Sequence, residues 1–432
     1  MIKRIRKMSL ILICSVLIGV LLLFFVFLLP VDSARRHAEE SLYDMMDVLE
    51  DPDGSVQRKK IVSIKENFTD FLMVQNALEK VEGKSLLEHV MYIYHHDLGN
   101  EETWITEASL VRFLREGSDG MYLREYSRYW HGYLVVLKPL LMCMSWMHVE
   151  LLLFALQAAL LFVIVLTACR RHKFGLGIGI VCAFLFMKPL RMGVSLTMSV
   201  CSLITLMAVW LLLYFFDLIE KKDRRENFFL LVGIATAYMD FLTYPVVTLG
   251  LPLCVWLVQS SGVDGERWKK LWRTFGNCVC WSVGYVGMWG MKWIVAEITC
   301  QTGTLRNAVW AVIHRTSPLD GYGSVFSGVS RTFSALLDQY DSVFYQVGFW
   351  LIAIAALISG LTCLVKAYNV EWGISILCLA VVALLPVGWL ILTQNHTAIH
   401  CIFTFRIFGV SVMALWCMTC LSVSTVMKKY RT

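Results

Sequence analysis

Ionisable side chains inside long apolar segments are costly, so those that occur mark candidate chemistry. In this chain Glu150, Lys188, Arg191, Asp240, Lys292 and Glu297 stand within or at the edges of such segments. A carboxylate in that setting acts as a base or a cap, and a lysine or arginine binds anionic oxygens. Three local patterns join them. Pro30-Val31-Asp32, followed by Arg35, Arg36 and His37, places an acid directly after an apolar run, as a base or as the N-cap of a following helix. Tyr126-Ser127-Arg128-Tyr129-Trp130-His131-Gly132-Tyr133 leads to Lys138 and Pro139. Its rings suit a sugar face, and Arg128, His131 and Lys138 suit a phosphate; an interfacial aromatic anchor is the plain alternative. Asn395-His396-Thr397-Ala398-Ile399-His400 precedes Thr404, Phe405 and Arg406. Two histidines four apart share a helical face and would suit a metal. With no third ligand in view, a polar lining with Arg406 for a phosphate is expected, and no metal or other cofactor.

Composition states where these residues must sit. Of 432 residues, 57% are hydrophobic and 17% charged. Soluble domains carry about 25% charge, so the excess apolar content calls for an apolar solvent. Fifteen Trp, 24 Phe and 16 Tyr suit aromatic belts at two membrane surfaces. The net charge of +6 is gathered in short clusters between apolar runs, which excludes a nucleic-acid partner in favour of membrane orientation. The 14 cysteines lie mostly within apolar stretches and read as small buried hydrophobes.

A membrane span needs about 20 mostly apolar residues. The first runs from Met8 to Pro30 behind Lys3, Arg4, Arg6 and Lys7, too long for a signal-peptide core. Others are expected near 148–168, 174–187, 194–218, 228–247, 248–260, 275–297, 344–364, 373–393 and 407–427, about ten in all. The fold class is therefore all-α, a polytopic membrane helix bundle forming a single domain over 1–432. Walked from a cytoplasmic N-terminus, the spans leave the clusters at 170–173, 221–225, 267–273 and 428–431 inside, along with the C-terminus, as the positive-inside rule requires. The outer face receives a helical loop at 31–133, a turn at 188–193, a loop at 298–343 and the stretch 394–406. Two points are open in this count: Pro245 and Pro252 interrupt the run at 228–260, and 174–187 is short.

No phosphate-binding glycine loop, dinucleotide fingerprint or GxSxG elbow is present. Substrates would thus be reached from the outer side and supplied through the lipid pool. The layout resembles the GT-C class of polytopic membrane glycosyltransferases, which includes protein O-mannosyltransferases and aminoarabinose transferases. The resemblance rests on an inside N-terminus, a long first outer loop and an acid soon after the first span, and covers mainly 1–220. Ser33 stands where several families carry a second acid. The resemblance implies Asp32 as general base on an acceptor hydroxyl of a cell-envelope glycan or protein. It also implies a polyprenyl-phosphate sugar donor, in the plasma membrane. The departing phosphate and the substrate would be held by residues drawn from Arg128, His131, Lys138, Arg191, Asp240, Lys292, His396, His400 and Arg406. A transporter or lipid flippase and an envelope polysaccharide polymerase or ligase are the alternatives.

Overall fold

The structure, a computed structural model, describes residues 2–46, 67–100, 103–221, 224–261, 267–301, 303–317, 325–340 and 342–431. In chain order, α1 (Ile2–Leu28) precedes the elements of the loop expected on the outer face, α2 (Asp32–Met46), α3 (Asn67–Leu78), α4 (Leu86–Tyr92), β1 (Tyr94–Asp97), α5 (Thr106–Glu116) and β2 (Tyr122–Glu125). Then follow α6 (Leu134–Cys143), α7 (Trp146–Arg170), α8 (Phe174–Phe186), α9 (Pro189–Gly193), α10 (Leu196–Tyr214), α11 (Phe216–Ile219), α12 (Arg224–Met239) and α13 (Val246–Gln259). The last third holds α14 (Arg267–Cys300), α15 (Thr304–Thr316), α16 (Val325–Leu337), α17 (Val343–Lys366), α18 (Val370–Leu392), α19 (Gln394–Ile399), α20 (Cys401–Thr404) and α21 (Gly409–Arg431).

Each expected span coincides with a helix. Six helical stretches are long and apolar enough to cross a bilayer: α1, α7, α10, α17, α18 and the run Cys401–Arg431. The protein is thus a membrane protein built almost wholly of helices. The segments α8 and α13 are apolar but shorter, at 13 and 14 residues. In α14, 34 residues long, a basic first turn leads into an apolar stretch interrupted by Lys292 and Glu297.

The outer loop departs from the all-helical expectation in one place. Tyr94–Asp97 pairs antiparallel with Tyr122–Glu125, within the loop at 31–133 that was expected to be helical. Ile93 ends α4 in a left-handed conformation, φ 51°, which turns the chain into the strand. Side chains then lock the hairpin. Arg124 pairs with the fully buried Asp97 at 3.5 Å. Glu79 from α3 takes the backbone N–H of His96 at 3.1 Å and meets its Nδ1 at 2.9 Å. A strand of four residues is too short to show a period of two, which is why the pattern hid it.

Close packing inside the bundle depends on small residues, as expected where lipid and core are equally apolar. A Cβ on Gly233 of α12 would come within 2.2 Å of the Trp281 carbonyl of α14, and one on Gly284 within 2.2 Å of the Leu230 carbonyl. These reciprocal contacts bring the two backbones together. All fourteen cysteines are free thiols; Cys417 and Cys420 have CxxC spacing, but on the membrane helix α21.

Asp70 docks the outer loop onto the bundle. This buried carboxylate accepts from the backbone N–H of Leu196 at 3.0 Å and of Thr197 at 2.8 Å. It also accepts from the hydroxyls of Thr197 at 2.5 Å and Ser195 at 3.2 Å. Four bonds to the first turn of α10 satisfy orphan donors and place negative charge at the positive end of the helix. Burial nevertheless raises the Asp70 carboxyl to about 6, against the lowering effect of these bonds. Asp70→Ala should lower thermal stability in detergent by about 2 kcal/mol or more, because it strands buried N–H groups. Asp70→Asn, which keeps an acceptor, should cost roughly half as much. Equal melting temperatures for the two variants would contradict the capping role.

Candidate functional site

The run from α12 to α13 is interrupted at residues 240–245, and the candidate site is assembled around that interruption. Backbone groups freed at a break inside a membrane bundle must find partners in the protein. The break supplies one of its own: Asp240 Oδ2 accepts from the Thr243 N–H at 2.9 Å, and Oδ1 from the Thr243 hydroxyl at 2.5 Å. Leu242 stands at φ 67°, a left-handed conformation that a branched side chain adopts only under tertiary constraint. Its carbonyl accepts from His396 Nε2 at 2.8 Å, linking the break to α19. The Tyr238 carbonyl accepts from the Gly132 N–H at 2.8 Å, linking it to the aromatic run before α6.

That aromatic run closes over the break as a ring wall. Phe241 lies 5.9 Å from Tyr126, 5.5 Å from Tyr129, 4.9 Å from His131 and 5.0 Å from Tyr133. His131, itself at φ 55°, is held at both ring nitrogens, against the Tyr126 carbonyl at 2.9 Å and the Tyr133 hydroxyl at 3.1 Å. On the opposite side α14 presents Trp281, Tyr285, Trp289 and Trp293 at four-residue spacing, and Trp289 lies 5.5 Å from Tyr129. Four-residue spacing puts these rings on one helical face.

Two arginines approach the break against different rings. Arg406 is fully buried, its Nη1 donating to the Ile402 carbonyl at 3.0 Å and its guanidinium 5.9 Å from the Tyr244 ring. Its Nε and Nη2 have no hydrogen-bond partner. Arg315, near the end of α15, donates to the Tyr129 hydroxyl and lies 5.7 Å from that ring. Among the described residues neither arginine has an acidic side chain within ion-pair distance. Buried atoms nearby also lack partners: His396 Nδ1, Tyr285 Oη and Trp289 Nε1. Buried polar groups are nearly always paired, so such a concentration of unpaired ones marks a ligand site.

The two histidines share a face as expected, their rings 4.6 Å apart. Burial, with Arg315 nearby, holds His396 well below its ordinary range and His400 down to about 4. Both are therefore neutral, and His396 Nδ1 offers a lone pair once Nε2 has donated to Leu242. Among the described residues no three His, Cys, Asp or Glu side chains converge as a metal-binding set.

The expected site residues thus divide. His131, Asp240, His396, His400 and Arg406 gather around the break. Arg128 lies at its edge, 5.7 Å from the Tyr126 ring and donating to Asn307 at 3.3 Å. The fully buried Lys292 instead donates to the carbonyls of Val90 and Met91, both at 3.0 Å, holding α4 to α14. Lys138 is buried on α6, 5.7 Å from the Phe27 ring of α1. Asp32 is the exposed first residue of α2, in the helix-start position that was its alternative reading. Arg191, on α9, is partly buried and close enough to Arg406 for the two charges to repel. Arg315, Tyr129, Tyr285 and Tyr244 were not singled out from the sequence. Four-residue aromatic spacing on α14 was the available signal for Tyr285; a lone arginine in the loop at 298–343 offered none.

No protein-family model, curated protein or solved structure matches this chain.

Gly132 sets how closely the aromatic run meets the break. A Cβ there would fall 2.3 Å from Tyr238 ring carbons and 2.6 Å from its carbonyl oxygen, whereas one on Gly19 would meet only the edge of that ring, at 2.8 Å. Gly132→Ala should cost about 1–3 kcal/mol of thermal stability, and Gly19→Ala less, since a ring edge yields more easily than backbone. A harmless Gly132→Ala would refute the contact.

Acid should destabilise the protein. Burial holds His95 down to about 3 and His400 to about 4, so both are neutral when folded and protonate near 6.5 when unfolded. The unfolded state then binds more protons across this window, and stability is lost as the pH falls from about 6.5 towards 4. Melting temperatures taken at about pH 7.5 and about pH 5 should differ, and His400→Gln should narrow the gap. A gap of the same size in the variant would remove His400 from this account.

Proposed function

We propose that this protein is a membrane glycosyltransferase that uses a polyprenyl-phosphate-linked sugar to glycosylate a cell-envelope acceptor on the outer face. The observation that carries the reading is the buried Arg406, with two nitrogens unpartnered, against Tyr244 at the break that Arg315 and the aromatic wall meet through Tyr129 and Phe241. Two cations without acidic partners suit the two or more oxygens of a phosphate, and the rings suit a sugar face. Charge develops on the lipid phosphate as the glycosidic bond breaks, and fixed cations shielded from water stabilise that charge more than water does. The base is Asp32, exposed and without an ion pair among the described residues, at the junction of α1, α2 and α6. Lys138 stands near the same junction. The aromatic run at 126–133 leads directly into α6 and so connects that junction with the arginines.

The topology that goes with this function has ten spans. Ten helices at the expected positions and basic clusters at alternate connections support it. Both termini then lie in the cytoplasm, the outer loop and the break face outward, and the host membrane is the plasma membrane.

A transporter or flippase is the second reading, favoured by the discontinuous pair α12–α13, since broken helices line many transport sites. The deciding assay places the protein in lipid nanodiscs with a panel of polyprenyl-phosphate sugars and follows free polyprenyl phosphate. Release should occur with one donor class, fall about 10²–10⁴-fold in Asp32→Ala, and fall at least about 10²-fold in Arg406→Gln. Full activity in Asp32→Ala would transfer the base role elsewhere. No release from any donor, with no donor-induced thermal stabilisation, would favour transport.

A further inference from the structure

On the face opposite the break, the ends of α8, α13, α18 and α21 enclose a cavity of about 790 Å³ that the transfer reaction does not use. Its wall is unevenly charged. Lys173, at the start of α8, and Lys428 and Lys429, at the end of α21, line it together with His172, against one acid, Glu371. Lys429 also donates to the Lys366 carbonyl at 2.7 Å, closing the cavity against the end of α17. Behind the wall lies a further cation. Lys270 on α14 is buried at 9% exposure, and its ammonium donates to the hydroxyls of Ser261 at 3.0 Å and Ser375 at 2.8 Å. Both serines line the cavity, and their hydroxyls donate in turn to the Leu257 and Glu371 carbonyls, so Lys270 stands directly behind the wall. No acidic side chain lies within ion-pair distance of Lys270 among the described residues. The lining also carries apolar side chains, Leu176, Val258 and Leu421, beside Trp372 and Tyr368.

We infer that this cavity binds the phosphate headgroup of an anionic membrane lipid, with the first carbons of its acyl chains against the apolar lining. A free phosphate would gain nothing from Leu176, Val258 and Leu421, and a neutral lipid nothing from four lysines. Basic pockets between membrane helices on the cytoplasmic side bind anionic headgroups in this way. Only the leaflet, the inner one, rests on the topology proposed above; binding itself does not, nor does it depend on transferase activity.

Native mass spectrometry of the whole protein in a neutral detergent tests the inference, after exchange with phosphatidylglycerol, phosphatidylcholine or inorganic phosphate. One phosphatidylglycerol per chain should be retained, with occupancy at least about tenfold above phosphatidylcholine. Retention should drop about tenfold or more in a Lys173→Gln, Lys428→Gln double variant and return in the corresponding double arginine variant. Lys270→Met should weaken retention as well, while leaving the melting temperature of lipid-free protein within a few degrees. Equal retention of phosphatidylcholine, or unchanged retention in the glutamine variant, would overturn the site. Retention of inorganic phosphate in place of lipid would overturn its lipid character.

Discussion

Backbone hydrogen bonds cannot be left open inside a bilayer, and the architecture of the candidate site follows from how one interruption is closed. Between α12 and α13 the ladder stops for six residues. Asp240 caps the turn from within, His396 donates to the Leu242 carbonyl from α19, and Gly132 donates to the Tyr238 carbonyl from the aromatic run. Each repair draws a separate part of the chain to the same point. Residues near 130, 240 and 396 become neighbours because they satisfy one another's backbone. The polar groups left over, on Arg406, Tyr285, Trp289 and His396, are then concentrated where the helices are already parted.

Charge placement follows a division of labour. Lys292 and Asp70 are as deeply buried as Arg406, yet Lys292 is bonded to two backbone carbonyls and Asp70 to two backbone N–H groups and two hydroxyls. Lys292 terminates α4 and Asp70 opens α10, so both act as joints between the outer loop and the bundle. Arg406 has one nitrogen bonded and two unpaired. Burial alone therefore does not separate structural from functional charges in this protein; unused hydrogen-bonding capacity does. By the same measure Lys270 is intermediate, since it donates to two serines that line a second cavity.

Much was legible in the sequence because the bilayer imposes simple rules on it. A span must be long and apolar, so helices at the expected positions, six of them long and apolar enough to cross a bilayer, could be read from composition along the chain. The break was legible too, from Pro245 and Pro252, and the gathering of His131, Asp240, His396 and Arg406 on one side followed from their positions along the spans. Membrane periodicity says nothing about distance within a layer, however. It ranked Lys292 with Arg406, because both are cations expected towards the outer face.

Tertiary structure alone decided which of these groups are spent. The hairpin of β1 and β2 depends on the burial of Asp97 against Arg124, a pairing across 27 residues that no local pattern encodes. Arg315 reaches Tyr129 from a helix almost two hundred residues away. The sequence by itself determined the solvent and the helices, since both depend on the transfer energy of short segments. Which cation keeps free hydrogen-bonding capacity depends on what the rest of the chain brings against it, and only the packed helices supply that.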